Sequence, residues 1–479
     1  MNRSDGMPAW KWFRVAGAAT ALGLAAAGFG LATAVQAEPP ALGAPGAETL
    51  SLAAAVRKAL QANPAVLQAR ARSDAARATA REAGAARGPA VEVREVALRT
   101  DAPADVFGLR LMQESFSFPE FVAGDPNQPG AITNFATEIQ ATMPLFTGGK
   151  LRAGIHAARR MQASADAGGR QAEAGVALQT ATAYLNVLLA ERFTALADRA
   201  HRTAQHHVEQ AQDFFDAGLL VESDLLQARV QEARMDENRV QALNNALLAR
   251  AGLARMLGED QGAAYELEAN PAPLVPDSLP LAAAIQAALG CRHDLAAAAA
   301  AAEAAGLDVA RARGDYWPDV AVAGKYAWND DRFLGFGGES GTLMAMARWT
   351  PWNWGQTQAR VTRSRAQQTA AQQALRGERA RVEFEVRDAW QTVGTAQARQ
   401  RAAARARTAA ERALTILEDR FGQGVARITD VMDAETQAHD ARVREAQAEF
   451  DMQIAIRTVR FVTGGNPVPE VQAEGTQHP

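Results

Sequence analysis

The clearest alternation of apolar and polar positions lies at residues 135–143. Phe135, Thr137, Ile139, Ala141 and Met143 fall on one side and more polar residues on the other, which predicts a β-strand. Residues 91–98 alternate in places and give a weaker strand signal. Upstream, a helix is expected from about Leu50 to Arg87, broken at Asn63-Pro64 and ended by Gly88-Pro89. Pro144 and Thr147-Gly-Gly-Lys150 close the second strand, and a helix follows with no breaker stronger than Gly168-Gly169 and Gly175 as far as Phe215. At 1.5 Å per residue it would be roughly 100 Å long, far beyond an ordinary globular helix. After Ala217-Gly218 a return helix runs from Ser223 to Leu257, with Gly258 as its cap. Its apolar stripe is thin: Val240, Leu243, Leu247, Ala254 and Leu257 keep heptad spacing among Arg, Gln and Glu. Such helices suit side-by-side packing with water on both flanks.

The whole pattern then recurs. Leu52-Ala-Ala-Ala-Val56 returns as Leu281-Ala-Ala-Ala-Ile285 and Pro89 as Pro318, both 229 positions on. Pro144 and Gly148 align with Pro351 and Gly355 at 207, while Phe215, Gly218, Ser223, Asp224 and Gly258 align with Phe421, Gly424, Thr429, Asp430 and Gly464 at 206. The first copy therefore carries about 22 extra residues in a Pro/Gly/Asp-rich loop at 99–134. The organisation expected is a signal segment at 1–37, a first repeat at 38–258, a linker at 259–280, a second repeat at 281–464 and a disordered tail at 465–479. The second repeat holds strands at 320–328 and 342–349, a short Gly-rich loop at 329–341, a long helix at 356–421 and a return helix at 429–462. The fold class is mainly α with two strands and long helices in each half.

Composition narrows what such a chain can do. Lys+Arg 50 against Asp+Glu 54 leaves a net charge of −4 and no basic footprint for nucleic acid. Arg3, Lys11 and Arg14 precede an uncharged stretch to Val35, and Ala34-Val-Gln-Ala37 has the form of a signal cleavage site. An uncleaved anchor is the alternative, and the small-residue site favours export. The single cysteine, Cys291, excludes a disulfide framework or thiol cluster. Beyond residue 37 no stretch is long and apolar enough to span a bilayer as a helix, so a membrane crossing would have to use strands. Four strands of about nine residues are long enough to cross, yet four cannot close a barrel, and open edges are not tolerated in lipid. Two copies would give eight strands and three would give twelve with some lumen.

Four elements resemble the TolC-like outer membrane efflux proteins of Gram-negative bacteria. They are Leu52-Ala-Ala-Ala-Val-Arg-Lys-Ala-Leu-Gln-Ala-Asn-Pro64, Met143-Pro-Leu-Phe-Thr-Gly-Gly-Lys150, Gly218-Leu-Leu-Val-Glu-Ser-Asp224 and Gly424-Val-Ala-Arg-Ile-Thr-Asp430. The resemblance spans about Leu50 to Gly464 and implies a homotrimer. Its 12-strand barrel would sit in the outer membrane and continue as an α-helical tunnel through the periplasm. It further implies an exit duct for small molecules, joined by a periplasmic adaptor to an inner-membrane pump. The sequence shows no Ser/His/Asp set, phosphate loop or metal cluster, so neither catalysis nor a cofactor is expected. The two Gly-x5-Asp turns would form the adaptor-contacting tip, with Gly218, Leu219, Ser223 and Asp224 in one and Gly424, Val425, Thr429 and Asp430 in the other. Asp430 and Asp433 resemble the family's Asp-x-x-Asp segment, whose carboxylates ring the closed tunnel mouth. Gln227 stands at the corresponding place in the first copy. Two departures weaken the match: Pro351-Trp-Asn-Trp-Gly355 lacks a glycine pair, and Cys291-Arg-His replaces small-Asn-Pro.

Each residue also has a plain structural reading. Thr429 could be an N-cap, with Asp430 and Asp433 favouring the helix dipole, and the turn glycines could simply end helices. His201, His206 and His207 lack the i, i+4 spacing of a helical metal pair and are expected to be solvated. Trp328, Trp349, Trp352 and Trp354, with Trp317, suit an interfacial aromatic girdle, or simple packing. Cys291 is expected to be inert. Two other functions compete with the efflux duct: the outer-membrane duct of a type I protein secretion system, and a periplasmic coiled-coil adaptor or scaffold.

Overall fold

The computed structural model describes residues 49–263, 265–269, 273–274, 280–469 and 471, so the expected signal segment and most of the C-terminal tail lie outside the described residues. The elements are β1 (Thr49–Leu50), α1 (Leu52–Ala62), α2 (Pro64–Ala85), β2 (Ala90–Thr100), α3 (Pro103–Met112), α4 (Phe118–Ala123), β3 (Ile132–Thr147), α5 (Lys150–Asp216) and α6 (Glu222–Leu257). They continue with β4 (Glu266–Leu267), α7 (Leu281–Cys291), α8 (His293–Arg313), β5 (Asp319–Asp330), β6 (Glu339–Arg348), α9 (Gln356–Gly422) and α10 (Ile428–Val462). The loop expected at 99–134 contains two short helices. Phe107, Phe116 and Phe121 hold them together with ring centroids 5.3–5.6 Å apart, a local cluster that alternation cannot reveal.

β2, β3, β5 and β6 form one antiparallel sheet in that order, leaving β2 and β6 as open edges. The register sorts the side chains into two faces, because directly paired residues point the same way. One face runs Val91 and Val93, Ile139, Ala141 and Met143, then Val320 and Val322, then Leu343 and Ala345, and is largely apolar. The other carries Glu92, Arg94, Glu138, Gln140, Thr142, Lys325 and Thr342. A second, two-stranded sheet pairs β1 with β4, and β4 lies inside the stretch expected to be linker.

The two long helices, α5 and α9, are 67 residues each and lead into return helices α6 and α10. No thick core forms. Burial is divided among small clusters along the helices, and much of it is alanine, for example Ala153, Ala157, Ala167, Ala177 and Ala181 on α5. The largest cluster joins Leu52, Val56 and Val66 to Tyr184, Leu253 and Leu257. Val468 is fully buried in it, so the tail expected to be disordered is packed at its start.

The repeat is visible in backbone detail. Four helices end on left-handed glycines, Gly218 (φ 70°), Gly258 (74°), Gly424 (72°) and Gly464 (82°). Each is followed by a residue whose N–H reaches back to a carbonyl five positions earlier, the pattern of a Schellman turn. At Gly258 a Cβ would lie 2.7 Å from the Ala62 carbonyl oxygen, and at Gly464 it would lie 2.9 Å from Cys291 Cβ. Ala62 and Cys291 are repeat partners, so one contact is made twice. The Cys291-Arg-His departure leaves this geometry intact. Asn63 donates from Nδ2 to the Met256 carbonyl (2.8 Å), and Arg292 donates from Nη1 to the Val462 carbonyl (3.4 Å) at the equivalent place. Arg292 is buried and pairs with Asp294 and, at 2.6 Å, with Glu385.

The strand exit aligns one residue differently from the sequence pairing. Gly149 and Gly355 cap α5 and α9, so Gly148 (φ 59°) corresponds to Trp354 (φ 53°), and the left-handed step survives without its glycine.

Gly258→Ala combines an unfavourable left-handed backbone with a clash against Ala62, and is expected to destabilise the protein by more than about 1–2 kcal/mol. Gly218→Ala has open space and should cost only the backbone part. Thermal unfolding of the two variants side by side measures the difference.

Candidate functional site

The helical turns at the far end of the molecule are built alike. α5 ends at Asp216, Gly218 reverses the chain, and the Leu219 N–H donates to the Phe214 carbonyl at 2.8 Å. α9 ends at Gly422, Gly424 reverses the chain, and the Val425 N–H donates to the Arg420 carbonyl at 2.9 Å. An apolar residue after such a glycine ordinarily packs back on its own helix. Here Leu219 is 76% exposed and Val425 72% exposed. Beneath them Ala211, Leu225, Ala228, Ile428 and Met432 join the two hairpins in a small core, with Phe214 and Phe421 in edge contact at 5.9 Å.

Arg427, not Thr429, is the N-cap of α10, so the expected Thr429 cap is corrected. The chain enters this helix two residues earlier because Ile428 is drawn into the core beneath the turns. Asp430 is then the third helical residue, and its carboxylate accepts the Arg427 backbone N–H at 3.2 Å. Asp433 is exposed one turn further on, and on the first hairpin Ser223 is exposed and Asp224 half-buried. Asp430 thus has a capping role, while Asp433, among the described residues, has no partner that fixes it to the helix end.

The polar face of the sheet holds a charge cluster that sequence patterning missed. Glu138 accepts from Arg94 at 2.5 Å and from Lys325 at 3.1 Å, tying β2, β3 and β5 together. Buried Asn134 and Asn329 are linked at 3.0 Å near the loop end. Arg94 and Lys325 come from strands 231 positions apart in sequence, and only the register brings them to one carboxylate. Trp328 is half-buried near the loop end, against Tyr326 and Phe336. Trp349, Trp352 and Trp354 are 60%, 72% and 90% exposed near the helix end, where Trp317 also lies. Trp317 to Trp328 spans about 36 Å along the strand, or roughly 28 Å at the usual tilt, close to the apolar band of a membrane barrel.

The histidines divide. His206 is exposed, but His201 and His207 are not solvated as expected, because α6 and α10 pack over them. His207 Nε2 lies 2.7 Å from Glu435 Oε2, a contact between the first and second hairpins, and His439 lines the same small cavity. The Glu435 carboxylate raises the His207 pKa above its ordinary 6.5, while burial lowers that of His439. Among the described residues no group of three or more His, Cys, Asp or Glu side chains could hold a metal. No helix among them is long and apolar enough to cross a membrane. Cys291 is a free thiol.

A family model described as outer membrane efflux protein matches residues 55–259 and 284–465. Among solved structures, CusC, described by its folding and transmembrane channel formation, superposes with a TM-score of 0.75 at 18% identity, covering 86% of this chain and 92% of its own. The Campylobacter jejuni CmeC outer membrane channel gives 0.75 at 16%, covering 88% and 89%. The Vibrio cholerae outer membrane protein VceC gives 0.72 at 21%, covering 87% and 96%. No curated protein sequence matches the chain. At these identities the structures speak for the fold.

The His207–Glu435 contact should be pH dependent. A raised histidine pKa stabilises the fold below the unfolded value and loses that contribution as pH rises through the folded one. Hydrogen exchange near Glu435, corrected for its intrinsic pH dependence, is expected to rise by up to about tenfold per pH unit across that window. His207→Gln should abolish the step and His206→Gln should keep it.

Proposed function

The chain belongs to the outer membrane efflux protein family, and from that premise we propose that three copies form the exit duct of a tripartite system. The chain is an outer-membrane efflux channel with a periplasmic extension, and its family consists of channels, not enzymes.

The observation that carries the trimeric reading is the four-stranded sheet with an apolar face, a charged face and two unpaired edges. Charged groups such as Glu138 and Arg94 are costly against lipid, and unpaired backbone is costlier still. Both problems vanish when three sheets close into twelve strands with the Arg94–Glu138–Lys325 face turned to a wet lumen. Trp328 at one end and Trp349, Trp352 and Trp354 at the other then suit the two headgroup levels. The cargo passes by diffusion through the tunnel, and the energy comes from an inner-membrane pump.

Docking falls to the tip. Leu219 and Val425 are apolar, exposed and held by rigid Schellman turns, which suits capture by the helical hairpin of a periplasmic adaptor. Gly218 and Gly424 shape those turns, and Ser223, Asp224, Thr429 and Asp430 form their polar rim. Three copies of Asp430 and Asp433 would set six carboxylates around one axis, repelling each other and attracting cations.

Leu219→Asp combined with Val425→Asp is expected to abolish export in cells while leaving a heat-modifiable trimer in outer-membrane fractions. Export that persists would reject the docking role, and a chain that migrates only as a monomer would reject the duct. In planar bilayers, Asp430→Ala with Asp433→Ala should weaken block of single-channel current by divalent cations. Unchanged block would remove the carboxylate ring from the mechanism.

A further inference from the structure

The two hairpins share an apolar core beneath their turns, and directly above it the seam between them becomes polar. The second hairpin meets the first mainly through α10, which packs on α5 and α6. Where these three helices converge they enclose a cavity of about 20 Å³, room for a single water molecule. Its walls are mostly alanine and methionine, and its polar lining is His207 of α5, Gln231 of α6, and Glu435, Thr436 and His439 of α10. Ala228 and Met432 belong both to this cavity and to the core below, so the two layers move together. Gln231 Nε2 donates to Thr436 Oγ1 at 2.9 Å, a neutral bond across the seam that does not respond to pH.

The histidines do respond. His207 Nε2 is 2.7 Å from Glu435 Oε2, and its Nδ1 is 3.5 Å from Gln210 Oε1, so both ring nitrogens face acceptors. A neutral imidazole carries one N–H and can serve only one of them, whereas the cation serves both. The site is thus shaped for an imidazolium that ties the first hairpin to a carboxylate of the second. The Glu435 hydrogen bond, opposed by burial and helped by Gln210 and by Glu418 of α9, holds the His207 proton above the ordinary pKa of 6.5.

His439 stands four residues after Glu435 on the same face of α10 and lines the same cavity. Burial pushes its pKa below 6.5, with Arg442 adding to the effect and Asp440 and Glu435 opposing it. A proton on His439 would therefore set a second cation beside His207 with one carboxylate between them. Inside an apolar wall, Glu435 cannot neutralise both.

We propose that His207, Glu435 and His439 form a proton-counting clamp between the two hairpins, closed by one proton on the two imidazoles and loosened by none or by two. The His207 contribution is present below pH 6.5 and is lost as pH rises through its folded value. The His439 contribution is present above pH 6.5 and is lost as pH falls toward its folded value. The clamp is tightest near pH 6.5 and weakens on both sides. Loosening it frees α10 from α5 just above the tip, where the hairpins of three copies would set the bore. That last step rests on the exit-duct reading, while the clamp itself is a property of one chain.

The test uses the full chain purified from outer membranes. Backbone hydrogen exchange at residues 428–434, corrected for its intrinsic pH dependence, is expected to be slowest near pH 6.5. It should quicken by up to about tenfold per pH unit on either side. His439→Gln should remove the acid limb and keep the alkaline one. His207→Gln should remove the alkaline limb and shrink the acid one, since a proton on His439 then meets Glu435 unopposed. Glu435→Gln, which keeps a hydrogen-bond acceptor, should flatten the alkaline limb and serves if a histidine variant does not fold. A profile without a minimum, an acid limb that survives His439→Gln, or an alkaline limb that survives His207→Gln overturns the clamp. In planar bilayers the single-channel conductance should be lowest near pH 6.5, with the same variants flattening the same limbs. A minimum in exchange without one in conductance keeps the clamp and rejects its control of the bore. Absence of any channel rejects the duct reading alone.

Discussion

A backbone amide or carbonyl left without a partner in hydrocarbon costs several kcal/mol. Most of this architecture follows from that constraint. The chain contributes only four strands, and β2 and β6 each present one bare edge. A sheet this short cannot curl back on itself, and the proposed trimer would cover both edges with strands of other copies. The internal repeat is visible in the sheet, where β2 with β3 and β5 with β6 are equivalent pairs joined in the middle by β3 and β5.

The helices obey a different constraint. A 67-residue helix has no thick core to lean on here, so its burial is spread along small clusters of alanine and a few larger residues. Alanine suits this because it lets helices approach closely and favours helix intrinsically. Large apolar side chains gather under the turns, as with Ile428 and Met432, and around β1 and β4, as with Leu52, Tyr184 and Leu253. Fixed ends matter more than usual in such a frame, and left-handed glycines supply them.

Much of the fold was legible in the sequence because it depends on local signals. Prolines and glycines mark the strand exits and helix ends, clean alternation marks β3, and the twofold recurrence exposes the plan. What stayed hidden depends on register or on contacts between distant segments. The Arg94–Glu138–Lys325 cluster requires knowing which strands are neighbours. The burial of His207 against Glu435 depends on the packing of α5 against α10, which no spacing rule along one helix reports. The expected Thr429 cap failed because Ile428 is drawn into the inter-hairpin core and the helix starts earlier. The Gly148–Gly355 pairing was one residue out, since identity of residue type pointed to glycine while the backbone put a tryptophan in that conformation.

The substitution of Arg292 for the asparagine of the first half sets the two halves on different thermal footings. Asn63 bridges its turn with neutral hydrogen bonds, whereas Arg292 does so within an ionic knot that includes Asp294, Glu385 and Arg381. The desolvation penalty of such ion pairs falls on warming, while neutral amide bonds gain nothing comparable. Heating therefore favours the ionic contact of the second-half elbow relative to the neutral contact of the first.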